Sequence, residues 1–460
     1  MLVPETEERK QIVAKQNQVM KDSKIETTWQ FVKYALPGMI NFGGCQLDTL
    51  KSPQFQELMN NHDNKFDLIL LGSFFADYLL GLGEHFNCPV ILSLPQRSNE
   101  YYDRHVGNPP EIAYRPTIVT MSQRNHTTLM GRFEYFWSQI LWKYLMYQMD
   151  QTNLKIYNEM FPAPKYPPLE KAAKRVSLLL ANHHLSEGHI RPDVPAVIYT
   201  GGIQIKDPSD PLPKDLQDII DSSKHGVIFL SFGSNLGSKQ LGEEMVQKLY
   251  NAMANLKQTV LWKWDDTPKP GNAPNIHFTK WIPQDDLLAQ PQVKLFITHA
   301  GKGGIAEAQY HGVPMVAVPM FIDQPGNAKK MVEDGFGVEV DKNTMTAESF
   351  RAAVLEVLEN PKYTENVQKF SKLYRDRPMT ARETAVFWIE YVLRHKGAYH
   401  MQSPAIELNT FQYYMLDVIG IIFAVAFLVL ISITNVEGLM FFQCIFSCLP
   451  LIPALDCPAL

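Results

Sequence analysis

The sequence lacks the features that mark several large classes of protein. Its 460 residues include only five cysteines, with no CxxC pair and no Cys/His cluster at zinc-ligand spacing. Lys and Arg number 43 against 48 Asp and Glu, a formal net charge of -5, so there is no basic field for nucleic acid. A GxGxxG motif with a downstream acidic residue is also missing. These absences exclude a disulfide scaffold and a nucleic-acid-binding protein, and they argue against a dinucleotide-dependent oxidoreductase.

The two ends of the chain differ in character. The start, MLVPETEERK, has no basic segment followed by the roughly 7–15 apolar residues of a secretory signal. Near the other end, residues 418–436 carry no charge, and as a helix they would span roughly 28 Å, close to a bilayer core of about 30 Å. The pattern predicts a transmembrane helix at residues 414–436, followed by an apolar tail at 437–460. A buried core helix is the alternative.

Charge gives only a weak indication of how such a helix would be oriented. Lys396 is the last basic residue of the chain, upstream of the apolar segment. Positive charge favours the cytosolic side of a membrane, so this rule alone would place the body of the protein in the cytosol.

The pattern of apolar runs predicts an α/β protein with parallel sheets. Residues 66–94 read as one strand–helix–strand unit, while residues 100–190 read as mostly helical, with an aromatic stripe at 133–142 that we expect to lie mainly in the core. After a proline-rich stretch, strands near 226–232, 259–264, 293–298, 315–319 and 337–340 alternate with helices. We therefore divide the chain into residues 1–205, a linker at 206–224, and residues 225–400.

Two strand ends in the second part carry residues suited to an anion. Residues 298–304 read THAGKGG, so glycines open a helix directly after a strand. The free N–H groups and dipole of such a helix start suit a diphosphate, which His299 could also reach from the strand tip. Residues 232–238, FGSNLGS, are a weaker signal, because a plain turn between strand and helix has the same composition.

Side chains nearby fit the other parts of a nucleotide sugar. Trp281 offers an aromatic ring on which a base can stack, and Gln284 offers an amide that can form hydrogen bonds with the base. Glu307 has the spacing to direct a carboxylate at sugar hydroxyls, and Asp323 and Gln324 can bind vicinal hydroxyls, although a helix cap is the alternative for Asp323. No Asp-x-Asp pair is present to hold a metal under the diphosphate, so we expect a metal-independent site.

Together these residues resemble the donor-binding signature of the UDP-glycosyltransferases, a family that includes the UDP-glucuronosyltransferases. The motifs are 281–284 (WIPQ), 298–301 (THAG), 307–315 (EAQYHGVPM) and 323–325 (DQP), and the likeness covers about residues 60–436. It implies the GT-B fold, in which two Rossmann-like halves face a cleft. The first half would bind a small lipophilic acceptor and the second a UDP-sugar, which is a co-substrate rather than a cofactor.

The resemblance also implies a role for each donor residue and a cellular location. The family pattern assigns the uracil to Trp281 and Gln284, the diphosphate to Ser234, His299, Gly301 and Gly304, the ribose to Glu307, and the sugar hydroxyls to Asp323 and Gln324. It implies a detoxifying enzyme of the endoplasmic reticulum membrane, anchored by one C-terminal helix with its body in the lumen. We prefer this orientation to the one from charge. Assembly with itself or a related chain is left open.

The sequence departs from the family pattern at several positions. Gly303 stands where the family has an asparagine that contacts phosphate, and Lys302 beside it could compensate electrostatically. The family base is a histidine near the start of the mature chain, whereas no histidine precedes His62 here, and we expect an N-terminally incomplete sequence. Gly72 falls where an aspartate should support that base, and Asp77 is the nearest alternative.

Two functions are compatible with this pattern. The first is an inverting transfer of a hexose or glucuronic acid from a UDP-sugar to a small hydroxylated acceptor, for which Asp77 is our candidate catalytic residue and His85 or His105 the next to consider. The second is a UDP-sugar-binding chain with impaired catalysis that acts as a partner subunit. The sequence does not choose between glucose and glucuronic acid and does not identify the acceptor.

Overall fold

The computed structural model describes residues 47–72, 75–114, 117, 126–188, 190–233, 236–265, 267–320 and 323–434. The chain divides into two compact units, residues 1–402 and 403–460. Two parallel β-sheets, both within the first unit, confirm the predicted α/β class.

The first sheet has four parallel strands in the order β1-β2-β3-β4. Their bounds are β1 (Ile69–Gly72), β2 (Val90–Leu94), β3 (Val176–Ala181) and β4 (Val197–Tyr199). Every residue of β3 is buried, and its sequence VSLLLA is apolar on both faces because helices cover both sides of such a sheet. The expectation that residues 100–190 are mostly helical is therefore wrong at β3, where a short apolar run could not be told from a buried helical segment.

Helices surround this sheet. They are α1 (Pro53–Asn60), a 3₁₀ helix (Asp77–Leu80), α2 (Gly81–Phe86), α3 (Glu100–Asp103), α4 (Leu129–Met160), α5 (Leu169–Ala173) and a 3₁₀ helix (Leu185–Glu187). The predicted core stripe on α4 is only half correct. Trp142 and Tyr135 are buried, but Phe133, Phe136 and Trp137 are each more than half exposed, because they lie on the opposite face of the helix.

The second sheet has six parallel strands in the order β10-β9-β8-β5-β6-β7. Their bounds are β5 (Val227–Ser231), β6 (Thr259–Lys263), β7 (Ile276–Thr279), β8 (Val293–Thr298), β9 (Met315–Ala317) and β10 (Gly337–Glu339). Along the chain, β6 and β7 are added on one side of β5, and β8, β9 and β10 are then added on the other side. Ser231 of β5 pairs with Thr298 of β8, so the carboxyl ends of these strands meet at the point where the strand order reverses. Ligands of open α/β sheets bind at this position.

The helices of the second part are α6 (Lys214–Ser222), α7 (Ser238–Leu241), α8 (Glu243–Met253), α9 (Gln284–Leu288), α10 (Lys302–His311), α11 (Gln324–Glu333), α12 (Ala347–Glu359), α13 (Pro361–Arg375) and α14 (Ala381–His395). The predicted linker at 206–224 contains α6, whose Leu216 and Ile220 are buried in the core of the second sheet. Helix α14 instead returns to the first sheet, where Ala385 and Val392 join the core. The chain therefore crosses between the two sheets twice.

The second unit contains a 3₁₀ helix (Pro404–Glu407), α15 (Thr410–Tyr413) and α16 (Leu416–Thr434). Within the part of the chain that the structure describes, no helix is both long and apolar enough to cross a membrane. The transmembrane helix predicted at 414–436 is thus not confirmed, and the predicted tail at 437–460 lies outside the described residues.

Candidate active site

A pocket of about 230 Å³ lies at the carboxyl ends of β5 and β8 and at the start of α10. Ala300 has a positive φ of 63°, which turns the chain sharply between β8 and α10. Helix α10 then begins at Lys302, with Gly301 as its N-cap. The pocket is lined by Phe232, Gly233, Leu236, Gln284, Phe296, Thr298, His299, Gly301, Lys302, Gly303, Gly304 and Gln324. Five of the predicted donor residues thus line one pocket: Gln284, His299, Gly301, Gly304 and Gln324.

The imidazole of His299 is seated between two glycines. A Cβ added at Gly301 would lie 2.5 Å from Nε2, and one added at Gly233 would lie 2.9 Å from Cε1. Real Cβ atoms do not approach so closely, so both positions need glycine if His299 keeps this orientation. Gly233 also has a φ of +82°, which favours glycine independently.

Burial and charge keep His299 neutral. Burial, and to a smaller extent the nearby ammonium of Lys263, lowers the pKa of His299 to about 4. Its Nδ1 is buried and has no hydrogen-bond partner among the described residues. Because a buried polar atom without a partner is costly, this nitrogen is suited to bind a ligand in the pocket.

Gln284 and Glu307 form a hydrogen-bonded pair behind the glycine-rich turn. The Gln284 amide Nε2 donates to Glu307 Oε2 at 2.5 Å. Burial raises the pKa of Glu307 to about 7, even though the bond from Gln284 opposes this shift. The carboxyl of Glu307 is therefore near its midpoint of ionisation at neutral pH. A further hydrogen-bond donor would stabilise its ionised form.

Trp281 is an exposed member of the predicted donor residues. It is 72% exposed, although the next residue, Ile282, is buried. Lys263 Nζ lies 5.3 Å from the centre of the indole ring. Trp281 does not line the pocket itself, but its exposed aromatic face is available for stacking with a base.

Asp323 and Gln324 lie at the start of α11 and are held in different ways. Asp323 occupies the N-cap position but its side chain makes no capping hydrogen bond, so the cap alternative is not observed. Its Oδ2 accepts from Asn327 Nδ2 at 2.7 Å, and the same amide donates to the Ala300 carbonyl at 3.1 Å. Gln324 Oε1 accepts from the Met320 amide at 2.9 Å. Asn327 thereby ties the predicted sugar-binding carboxylate to the turn before α10.

The predicted substitute for the missing asparagine has another partner in this structure. Lys302 forms an ion pair with Glu187, which follows β3 on the first sheet. At Gly303 itself, a Cβ would meet nothing within 4 Å, so the position faces open space. Ser234, the remaining predicted phosphate contact, lies outside the described residues.

Asp77, our candidate catalytic residue, is buried in an ionic cluster. Its Oδ2 lies 2.6 Å from an Arg104 guanidinium nitrogen and 3.2 Å from His105 Nε2. Burial alone would raise the pKa of Asp77, but His105 and Arg104 outweigh it and hold the pKa well below its usual range. His85 bonds instead to the Tyr166 hydroxyl at 2.6 Å and the Met59 carbonyl at 2.9 Å.

A second cavity, of about 320 Å³, lies between the two sheets. Its walls come from Arg97, Glu100, Gln139, Trp142, His183 and Glu187 on the first half and from Lys302, Ile305, Asn327 and Lys330 on the second, among others. Sequence reasoning missed His183 and Glu187. The signal that could have found them is their position just after β3, which was assigned to a helical region.

The chain belongs to the family described as UDP-glucoronosyl and UDP-glucosyl transferase, which it matches over residues 2–447. It is therefore a glycosyltransferase. It is 34% identical to UDP-glycosyltransferase UGT5 of Dactylopius coccus over 403 residues, which cover 86% of this chain and 75% of that protein. It is 36% identical to human UDP-glucuronosyltransferase 2B10 over 388 residues, covering 81% and 70% of the two chains. The family resemblance predicted from the donor motifs is thus confirmed.

Similar solved structures include the calicheamicin glycosyltransferase CalG4, with a TM-score of 0.48 and 16% identity over 85% of this chain and 82% of that one. The glycosyltransferase of kitacinnamycin has a TM-score of 0.47 and 18% identity over 81% and 84%. The assignments of individual site residues, the endoplasmic-reticulum location and the oligomeric partners stay predictions.

Replacement of Trp281 should weaken binding of UDP through loss of stacking. Stacking of a base on an aromatic ring contributes roughly 1–3 kcal/mol, so Trp281→Ala should lower UDP affinity about 5- to 150-fold. Isothermal titration calorimetry would measure this, with Trp137→Ala as control because Trp137 is also exposed, at 54%, but lies on α4. Unchanged UDP affinity in Trp281→Ala would remove this residue from the site.

Replacement of His299 should weaken binding of the diphosphate and not that of the nucleoside. We expect His299→Ala to weaken UDP about 10-fold or more, the range for a hydrogen bond to a charged group, and to leave uridine nearly unaffected. His277→Ala is the matched control, since His277 is a half-buried histidine of β7 that does not line the pocket. Equal losses for UDP and uridine would mean that His299 acts only through the structure.

Proposed function

We propose that this glycosyltransferase moves a hexose or glucuronic acid from a UDP-sugar to a small lipophilic hydroxylated acceptor, with inversion at the anomeric carbon and without a metal. The observation that supports this most directly is the pocket at the start of α10. There a half-buried histidine, with one ring nitrogen that has no partner among the described residues, meets the N-terminus of a helix. A helix N-terminus with free backbone N–H groups favours a phosphate group electrostatically.

In this proposal each part of the donor has its own partners. The uracil stacks on Trp281 and pairs with Gln284, whose amide already contacts Glu307. Glu307 accepts hydrogen bonds from the ribose. The diphosphate binds His299, Ser234 and the backbone near Gly301 and Gly304, and the sugar hydroxyls bind Asp323 and Gln324.

The electrostatic character of the pocket favours a charged ligand that also carries hydrogen-bond donors. His299 is held neutral by burial and Lys263, so it binds the diphosphate as a hydrogen-bond donor rather than as a fixed cation. A negative ligand raises the pKa of a nearby imidazole, which strengthens the contact once the ligand is bound. Departure of UDP needs this stabilisation, because negative charge grows on the diphosphate as the sugar leaves.

The acceptor lies in the cavity between the two halves. That cavity is lined by Trp142 and Ile305 among polar groups, which suits a small molecule with an apolar body and a hydroxyl. The acceptor oxygen attacks C1 of the sugar from the side opposite the diphosphate, and this displacement inverts the configuration. Asp77 remains a prediction for the catalytic group, and its ion pairs with Arg104 and His105 make it a weak base.

The test is a transfer assay that follows release of UDP from UDP-glucose and from UDP-glucuronic acid, with and without phenols, steroids and flavonoids as acceptors. We expect acceptor-dependent UDP release, a product of inverted configuration by NMR, and no loss of rate in EDTA. Binding of UDP without release in the presence of any acceptor would favour the alternative of a catalytically impaired partner subunit. Loss of rate in EDTA, restored by a divalent metal, would contradict the metal-independent mechanism.

A further inference from the structure

A third cavity, of about 440 Å³, lies at the edge of the second sheet opposite the donor pocket. Its walls include His225 just before β5, Lys294 near the start of β8 and Pro314 just before β9. These strands run parallel, so their amino ends share one edge of the sheet and their carboxyl ends the other. The donor pocket lies at the carboxyl ends, and the third cavity is therefore a separate place on the molecule.

The charged side chains that line the third cavity are all basic. There are four of them, and they come from different elements: His225 before β5, Lys294 on β8, His311 at the end of α10 and Arg375 at the end of α13. Its lining residues, all within the part of the chain that the structure describes, include no Asp or Glu. An anion in this cavity would therefore have positive charge on several sides.

Two of these cations are available to a ligand. Lys294 is the one exposed residue of β8, and its stem packs over Gly226, where an added Cβ would lie 2.6 Å from Lys294 Cγ. The ammonium donates to the Pro291 carbonyl at 2.8 Å, while Arg375 Nε donates to the Tyr310 carbonyl at 3.1 Å. Neither Lys294 nor Arg375 has a carboxylate partner within the described ranges, so neither charge is neutralised there.

His311 adds a buried nitrogen that lacks a partner. Its side chain is only 3% exposed, and its Nε2 lies 2.7 Å from Asp285 Oδ1. The other ring nitrogen, Nδ1, has no hydrogen-bond partner among the described residues. With Nε2–H directed at Asp285, protonation of the ring places its second N–H at Nδ1, where an anion can accept it. A ligand with such an acceptor would satisfy this otherwise costly buried atom.

Stabilisation of helix ends is the simpler explanation for these basic residues, and it accounts for only part of them. The carboxyl end of a helix carries roughly half a negative charge, which favours His311 at the end of α10 and Arg375 at the end of α13. Lys294 lies on a strand and has no such role. Asp285 balances His311, and the helix dipole offsets only part of the two charges on Lys294 and Arg375, so the cavity keeps a net positive charge.

We propose that the third cavity binds a small soluble molecule that carries a phosphate or diphosphate group, separately from the sugar donor. Arg375 provides a planar guanidinium that matches phosphate oxygens, Lys294 a compact charge and His311 Nδ1 a third donor. Gln258 and Gln368 also line the cavity, and their amides can bind hydroxyl groups on the rest of the molecule. The volume, about 440 Å³ against about 230 Å³ for the donor pocket, leaves room for more than the phosphate.

The test is calorimetric titration of the full chain with inorganic pyrophosphate. The titration is done in His299→Ala, because pyrophosphate would also bind the donor pocket and this change weakens that contact. We expect one pyrophosphate to bind per chain. Adding Lys294→Gln and Arg375→Gln together should weaken this binding about 10-fold or more, since two hydrogen bonds from charged groups are lost.

A control with the same loss of charge separates a bound ligand from general attraction. Lys224→Gln combined with Lys257→Gln removes two exposed lysines that adjoin His225 and Gln258 in sequence but do not line the cavity. In the same His299→Ala chain, this pair should leave pyrophosphate affinity unchanged. Uridine affinity should be unchanged in both double replacements, because uridine carries no phosphate and none of the four replaced residues lines the donor pocket.

A single replacement tests the buried nitrogen of His311. Glutamine places an amide N–H close to the position of histidine Nε2, so His311→Gln keeps a donor for Asp285 and removes Nδ1. It should weaken pyrophosphate about 5-fold or more and leave uridine affinity unchanged. Unchanged pyrophosphate affinity in His311→Gln would contradict the assignment of Nδ1 as a ligand contact.

The outcomes are independent of sugar transfer. Absence of pyrophosphate binding in His299→Ala, or equal losses in the two double replacements, would overturn the site and leave the proposed function as it stands. Phosphate also occurs on lipid headgroups, which co-sedimentation with vesicles of phosphatidylcholine and phosphatidic acid tests. Vesicle binding that requires Lys294 and Arg375, without binding of pyrophosphate, would contradict a soluble ligand.

Discussion

The close approach of backbone to the His299 ring is the constraint on which the donor site depends. Gly233 follows β5 and Gly301 precedes α10, and neither leaves room for a side chain beside the imidazole. These two glycines lie in the turns after β5 and β8, strands that pair directly, so the register of the sheet sets the position of the ring. The site thereby lies at the ends of two central strands of the second sheet, β5 and β8, that are almost entirely buried.

The same burial shifts two side chains of the site toward their neutral forms. Desolvation lowers the pKa of His299 to about 4 and raises that of Glu307 to about 7. Side chains that lose their hydration in this way are stabilised by a ligand that replaces the lost hydrogen bonds and favours their charged forms. Lys302 forms an ion pair with Glu187, and this pair joins the donor half to the first sheet across the cavity. Donor binding and the geometry of the cavity are thus linked through one side chain.

Much of the second sheet could be predicted from sequence, because its strands are short apolar runs bounded by glycine and proline. The cluster around His299 followed, since the carboxyl ends of parallel strands meet at one edge. The first half was harder. Strand β3 was hidden in a helical region, and the aromatic residues of α4 divide between core and surface in a way that composition does not encode. The contact of Lys302 with Glu187 joins residues 115 positions apart, and only the tertiary fold brings them together.

The seating of His299 between glycines is tested most directly by a pair of substitutions in the same turn. Calorimetric titration with UDP should show that Gly301→Ala weakens binding about 10-fold or more, because the new Cβ displaces the ring and its hydrogen bond to the diphosphate is lost. Gly303→Ala, whose Cβ would meet nothing within 4 Å, should bind UDP as wild type does. Equal affinities for the two variants would contradict the account.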